Sequence, residues 1–392
     1  MAFRLADRIR NLEDYPFVKI SDDVKKLQQA GVDVIRLDMG SPDLPPPAAV
    51  REVLSSHVMR EDQHGYTGYR GSARFRQAVA RYYKRLFGVD LDSDTEILPL
   101  IGSKEGLINM ALAVISPGDI SLVTGLGYPA YIMGTKIAQG EIYTVPAPED
   151  NNFFPLLDEI PQDVVKRARI LWLNYPNNPT GSLASLGDYA KAVDFCRKHD
   201  ILLVSDNPYF EVVFDGRDVA ASVLQVPGAK EVAVEFMSLS KSHNMAGWRL
   251  GACVGNAEAV SALLRMKSNM DSGHFNPVYE AGVAALDHTS RSWIQERNAI
   301  YQERRDLLVE AMPAMGLKLK TIPKGALYMW ANVPNHDDVA YCRGALHEAG
   351  VSITPGSVYG QAGSGYVRFS LVTPQPRMME AINRIAKWQS IL

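Results

Sequence analysis

Cysteine is scarce in this chain of 392 residues: Cys196, Cys253 and Cys342 are the three it has. They are far apart and odd in number, so they form neither a disulfide framework nor a zinc pattern, and they fit a reducing cytoplasm. The eight histidines include no His-Glu-x-x-His or comparable ligand spacing, which speaks against a metal site. No uninterrupted apolar run reaches membrane-spanning length, and the first ten residues alternate charge with apolar side chains instead of building a signal-peptide core. The formal net charge is only -3, so no broad basic or acidic field marks a nucleic-acid or membrane partner. Repeats and low-complexity segments are also lacking. What is present is length for two or three domain-sized units and a 46% hydrophobic composition, ordinary for a soluble enzyme.

Residues 18–31 read as an amphipathic helix ending at Gly31, and Val32–Leu37 as a short strand. The proline-rich run Gly40-Ser-Pro-Asp-Leu-Pro-Pro-Pro47 cannot be a helix interior. Helical patterns occupy 48–59 and 72–87. Seven short β-rich runs follow: Glu96–Ile101, Ile120–Thr124, Glu141–Val145, Ile170–Leu173, Ile201–Ser205, Val232–Ser238 and Gly251–Gly255. Helical patterns at 103–115, 129–138, 185–199 and 257–268 separate most of them. This alternation predicts an α/β fold, a mostly parallel seven-stranded sheet with helices on both faces and ligands at the strands' carboxyl ends. A long helical stretch is expected from 276 through Met312, then strands at Leu317–Ile322 and Ala326–Asn332, a helix at 337–349, a strand at Tyr366–Leu371 and a helix at 374–390. The expected division is an N-terminal arm that forms part of the small domain, 1–47, a large domain, 48–280, and a smaller α+β domain, 281–392.

The most informative run is Ser238-Leu-Ser-Lys-Ser-His-Asn-Met-Ala-Gly-Trp-Arg249. Lys241 follows an apolar strand and is flanked by serines, with an arginine eight residues on. A lysine that holds pyridoxal phosphate (PLP) as a Schiff base must be desolvated, so that its amine is neutral and nucleophilic. Ser238, Ser240 and Arg249 suit the phosphate. A strand leading into a basic loop is the plainer reading.

Asp206 ends a buried run and opens Asp206-Asn-Pro-Tyr209. There it either keeps a pyridine nitrogen protonated or caps a turn. Tyr209 and Asn178, the latter in Asn174-Tyr-Pro-Asn-Asn-Pro-Thr-Gly181, can each donate to a phenolic oxygen, or serve as packing and turn chemistry. Gly102, Ser103 and Lys104 join a strand to a helix, a place that suits a phosphate and equally an ordinary cap. Tyr128 either stacks on a ring or packs. Arg368 lies in the apolar run Tyr366-Val-Arg-Phe-Ser. It either clamps a carboxylate or faces water from an edge strand, and local sequence favours the edge strand slightly.

In order and spacing these motifs resemble the PLP-dependent aminotransferases of the aspartate aminotransferase superfamily, class I/II with the type I fold, over nearly the whole chain. The resemblance implies that Lys241 is the Schiff-base lysine and proton shuttle. It pairs Asp206 with the pyridine nitrogen, and Asn178 and Tyr209 with the phenolic oxygen. Gly102, Ser103, Lys104, Ser238, Ser240 and Arg249 surround the phosphate, and Tyr128 stacks on the ring. Gly40 and Asn178 lie beside the substrate, and Arg368 clamps its α-carboxylate. Tyr66, in Gly65-Tyr-Thr-Gly-Tyr-Arg-Gly71, matches the tyrosine that reaches the neighbouring subunit's phosphate, which implies a homodimer with shared sites.

Within the superfamily the segments Tyr15-Pro-Phe, Gly40-Ser-Pro-Asp-Leu-Pro, Tyr69-Arg-Gly, Gly102-Ser-Lys-Glu-Gly, Ser242-His-Asn-Met-Ala-Gly-Trp-Arg-Leu-Gly and Lys267-Ser-Asn-Met-Asp-Ser-Gly are similar to LL-diaminopimelate aminotransferases. His243 replaces an expected aromatic, usually tyrosine, and His274 with Asn276-Pro-Val varies a segment near the site entrance. The implied reaction moves an amino group from an L-amino acid (LL-2,6-diaminopimelate, glutamate or aspartate) to a 2-oxo acid such as 2-oxoglutarate. Broad-specificity aspartate, alanine or aromatic aminotransferases, carbon–sulfur lyases and aminotransferase-like regulators are the alternatives.

Overall fold

A computed structural model describes residues 3–10 and 12–391; Met1, Ala2, Asn11 and Leu392 lie outside the described residues. Seven strands form one sheet in the spatial order Ile97–Leu100, Gly251–Gly255, Ala233–Ser238, Leu202–Asp206, Ala168–Leu173, Ile120–Thr124, Glu141–Val145. Every pairing is parallel except the two made by Gly251–Gly255. The central strands are mostly apolar and buried on both faces, as helices on both sides require, and the buried Glu235 among them accepts from Tyr83, Ser205 and Ser222. The expected architecture is therefore the one observed.

Helix 73–87 shows how the sequence builds the flanking layer. Phe75, Ala78, Val79, Tyr82, Tyr83 and Phe87 recur at helical spacing and are buried. The Ser72 side chain accepts from the Phe75 N–H at the start, and Gly88 ends the helix at φ 71°, a left-handed conformation that glycine adopts without strain.

A second core joins the N-terminal Ile35 and Leu37 to apolar residues between Tyr301 and Ile385, with Tyr209, Val212 and Phe214 reaching into it. Over it lies a three-stranded antiparallel sheet in the order Thr354–Pro355, Tyr366–Ser370, Tyr328–Asn332. A two-residue strand, Ile35–Arg36, pairs with Val351–Ser352.

Three expectations are corrected. The stretch from 276 through 312 is two helices, Asn276–His288 and Arg291–Ala311, because the Ser290 hydroxyl accepts from the Trp293 N–H and starts a new helix. Residues 317–322 form no strand; Lys318 alone bridges to Asn332. The strand expected over Val32–Leu37 shrinks to Ile35–Arg36. Among the described residues no helix is long and apolar enough to cross a membrane.

Candidate active site

The carboxyl ends of the parallel strands open into a cavity of about 480 Å³. Strand Leu202–Asp206 carries Asp206 to its floor. Asp206 is 4% exposed. Its Oδ2 accepts from Tyr131 Oη at 2.7 Å, and its Oδ1 is buried without a hydrogen-bond partner. Burial pushes this carboxyl up to about 7, and the Tyr131 hydrogen bond opposes the rise. Tyr131 is itself fixed by stacking on Trp172, ring centroids 5.1 Å apart.

Strand Ala233–Ser238 runs into the short helix Leu239–Ser242, which presents Lys241. Lys241 Nζ donates to the Gly40 carbonyl. Burial lowers its pKa to about 8, with the like charges of Arg249 and Arg368 acting in the same direction. The surroundings thus supply what a nucleophilic lysine needs, an amine that loses its proton close to neutral pH.

One corner gathers anion-binding groups. Helix Ser103–Val114 starts after Gly102, whose φ is 73°. A Cβ on Gly102 would overlap the Arg249 guanidinium, so glycine lets the arginine lie against the helix start. Arg249 Nη1 reaches Ser240 Oγ at 3.4 Å, and His274 Nε2 bonds the Arg249 carbonyl from the other side. Ser238 and Ser240 are buried beside it. Lys104 lines the cavity, but its ammonium rests 3.7 Å above the Tyr15 ring, so a phosphate would meet the helix's free N–H groups rather than this side chain.

Arg368 corrects the local reading of an edge strand. It sits in the middle strand of the small sheet, paired on both sides, and is 2% exposed. Its Nη1 donates to Asn178 Oδ1 at 3.0 Å, and its Nη2 to the Asp38 carbonyl and to Thr354 Oγ1. Its Nε is buried without a partner, and among the described residues no carboxylate forms an ion pair with it. Such a guanidinium is a ready site for an anionic ligand. Asn178 is held in its turn by Asn174, whose Oδ1 accepts the Asn178 N–H at 2.8 Å and whose Nδ2 donates to the Asp206 carbonyl at 2.7 Å. Tyr209 points its hydroxyl at Tyr328 Oη, 2.9 Å away.

The cavity brings together Gly40, Ser103, Lys104, Tyr128, Asn178, Asp206, Tyr209, Ser238, Ser240, Lys241, Arg249 and Arg368. Tyr66 is apart from it, 92% exposed on a loop.

A family model for aminotransferase class I and II matches residues 32–385. The chain belongs to the class I and II aminotransferases. LL-diaminopimelate aminotransferase of Moorella thermoacetica is 45% identical over 383 residues, 97% of each chain, and that of Aquifex aeolicus 42% identical over 98% of each. Among solved structures, substrate-bound BacF from Bacillus subtilis superposes with TM-score 0.93 at 35% identity, covering 99% of this chain and 98% of that one. This aminotransferase therefore has the type I fold and uses pyridoxal phosphate with amino-acid and 2-oxo acid substrates. The cavity fits that cofactor: a buried carboxylate oxygen lacks a partner, an amine is desolvated, and an arginine lies against a glycine at a helix start.

Sequence reasoning missed four contributors. Tyr131 lies in the first turn of the helix that Pro129 opens, and its ring meets that of Tyr128, the residue before the helix, edge to face at 6.0 Å. Tyr328, Arg36 and Asp38 also line the cavity, the last two joined by a bidentate ion pair at 2.6 and 3.0 Å. No local motif marks them. His243, in contrast, is a core residue. Its ring stacks on Trp293, Ser242 Oγ lies 2.9 Å from Nδ1, and burial lowers its pKa to about 3.

Proposed function

We propose that this aminotransferase takes its amino group from LL-2,6-diaminopimelate and passes it to a 2-oxo acid such as 2-oxoglutarate. Lys241, Asp206 and Tyr209 are the catalytic residues. The observation that carries the site assignment is the meeting, in one cavity, of a desolvated amine, a buried half-partnered carboxylate and a buried arginine without a carboxylate. The choice of donor is supported by the names of relatives 42–45% identical over nearly the full length.

Asp206 Oδ1, buried without a partner, would hold the proton on the cofactor's ring nitrogen. Asn178 and Tyr209 would face the phenolic oxygen and Tyr128 would cover the ring, while Gly102, Ser103, Ser238, Ser240 and Arg249 would hold the phosphate, with Lys104 contributing its backbone N–H at the helix start. Arg368 binds the substrate α-carboxylate beside Gly40 and fixes the α C–H bond relative to Lys241. Lys241 Nζ takes the α proton and delivers it again on the other side of the transfer. Bound pyridoxal phosphate supplies a protonated ring that accepts the electron pair of the breaking C–H bond. The second half runs these proton movements backwards from the acceptor 2-oxo acid.

The unit of function is a homodimer, in which Tyr66 reaches the partner's phosphate corner. Its near-complete exposure supports that reading, as does the exposure of Met59, Tyr69, Met270 and Phe275. Residues 48–280 form the cofactor-binding domain, and 1–47 with 281–392 form the part that carries Arg368.

The test is a donor panel with 2-oxoglutarate, following glutamate formation. LL-diaminopimelate should outpace aspartate, alanine and phenylalanine. Equal use of several donors overturns the donor assignment and leaves a broad aminotransferase. Ammonia and pyruvate from cystathionine, without glutamate, would mark a lyase instead.

A further inference from the structure

Tyr328 has no role in that scheme, yet it touches three of its parts. It opens the strand Tyr328–Asn332, which pairs with the Arg368 strand. Its ring faces the Arg368 guanidinium, with 4.1 Å from Cζ to the ring centroid. Tyr359 and Phe17 are more distant, at 5.2 and 5.6 Å. Its hydroxyl lies 2.9 Å from the Tyr209 hydroxyl. A Cβ on Gly40 would overlap that same hydroxyl, and the Gly40 carbonyl receives Lys241. Tyr328 also lines the cavity.

We infer that Tyr328 is a positioning residue with two separable parts: its ring holds Arg368 for the substrate carboxylate, and its hydroxyl aims the Tyr209 proton into the cavity. Both parts rest on the roles proposed above for Arg368 and Tyr209.

The ring acts because Arg368 is buried and has no carboxylate partner. A guanidinium removed from water gains more from an aromatic face than an exposed one, and its planar fork keeps its donors directed when it lies over a ring. The hydroxyl acts by donor bookkeeping. Two phenols share one hydrogen bond, so one donates and the other accepts. If Tyr328 donates, the Tyr209 proton is free to face the cofactor's phenolic oxygen; if Tyr328 is lost, Tyr209 rotates without a constraint on that side. Gly40 makes room for the arrangement.

The test uses holoenzyme and two variants, Tyr328→Phe and Tyr328→Leu, with Arg368→Leu as control. Two quantities are read: the dissociation constant of propionate, an unreactive carboxylate, by calorimetry, and kcat with KM for the amino donor. Phe keeps the ring, so propionate affinity and KM should stay within about twofold while kcat falls roughly tenfold. Leu removes both parts, so propionate should bind about tenfold more weakly and KM should rise in parallel. Native propionate binding in Tyr328→Leu beside weakened binding in Arg368→Leu overturns the inference alone. Native binding in Arg368→Leu overturns the reading of Arg368 and the inference with it. Should the Leu variant fail to fold, Tyr328→Phe carries the test: retained affinity with lowered kcat supports the division, and loss of affinity or an unchanged kcat overturns it.

Discussion

Tyr131 Oη donates to Asp206 Oδ2 at 2.7 Å, while Oδ1 of the same carboxylate has no partner. One oxygen is tethered to the protein and the other is left for the cofactor. The tether also stabilises the ionised carboxylate against the burial that raises its pKa.

Tyr131→Phe should therefore weaken cofactor retention and lower turnover together. Loss of a hydrogen bond to a charged group costs about 1.5–3 kcal/mol, so roughly a tenfold or greater rise in the pyridoxal phosphate dissociation constant is expected. Equilibrium dialysis of the variant checks it; native affinity and native kcat would leave Tyr131 without a part in holding the cofactor.

Asp206 makes the stability of the cofactor-free protein depend on pH. Its carboxyl is raised from 3.8 to about 7 in the folded chain. The folded state thus holds a proton that the unfolded state has already released. Its stabilising contribution is complete below pH 3.8, the unfolded value, and is lost as pH rises through about 7. Asparagine has no proton to lose and escapes that penalty. Cofactor-free Asp206→Asn should gain stability relative to wild type between about pH 4 and 7 and hold a constant margin above. Denaturant titrations at several pH values check it, and a margin independent of pH would contradict it.

Lys241 has the opposite sign. Its pKa is lowered from 10.5 to about 8, so its neutral amine becomes abundant well before that of an exposed lysine. The rate at which apoenzyme takes up pyridoxal phosphate should climb with pH and level off above about 8. A rate still climbing toward pH 10.5 would mean that the amine is not desolvated.

Much of this chemistry was legible in the sequence because it is local. Asp206 ends an apolar strand, Lys241 and Asn178 follow theirs within a few residues, and a parallel sheet gathers such strand ends at one edge. Arg368 was harder, since a strand's rank within its sheet depends on partners far away in sequence, here Thr354–Pro355 and Tyr328–Asn332. The strand Thr354–Pro355 is two residues long, too short for a period-2 pattern. Residues 317–322 have the composition of a strand, but they meet Asn332 through Lys318 alone. Tyr131 and Tyr328 matter through what they touch, and no motif records contact.

Shared active sites predict complementation. Lys241→Ala should be inactive and Tyr66→Ala should bind cofactor poorly. Co-refolded, the two should regain activity, because half of each mixed dimer's sites carry neither change. A mixture no more active than the Tyr66 variant alone would place Tyr66 outside the partner's site.

The most direct measurement is reductive trapping. Holoenzyme is treated with borohydride, digested, and searched by mass spectrometry for the lysine bearing the reduced pyridoxyl group. The label should fall on Lys241 alone, and on no residue of Lys241→Ala. A label on Lys104 or Lys267, or on no lysine, would contradict the assignment of Lys241 as the cofactor-binding amine.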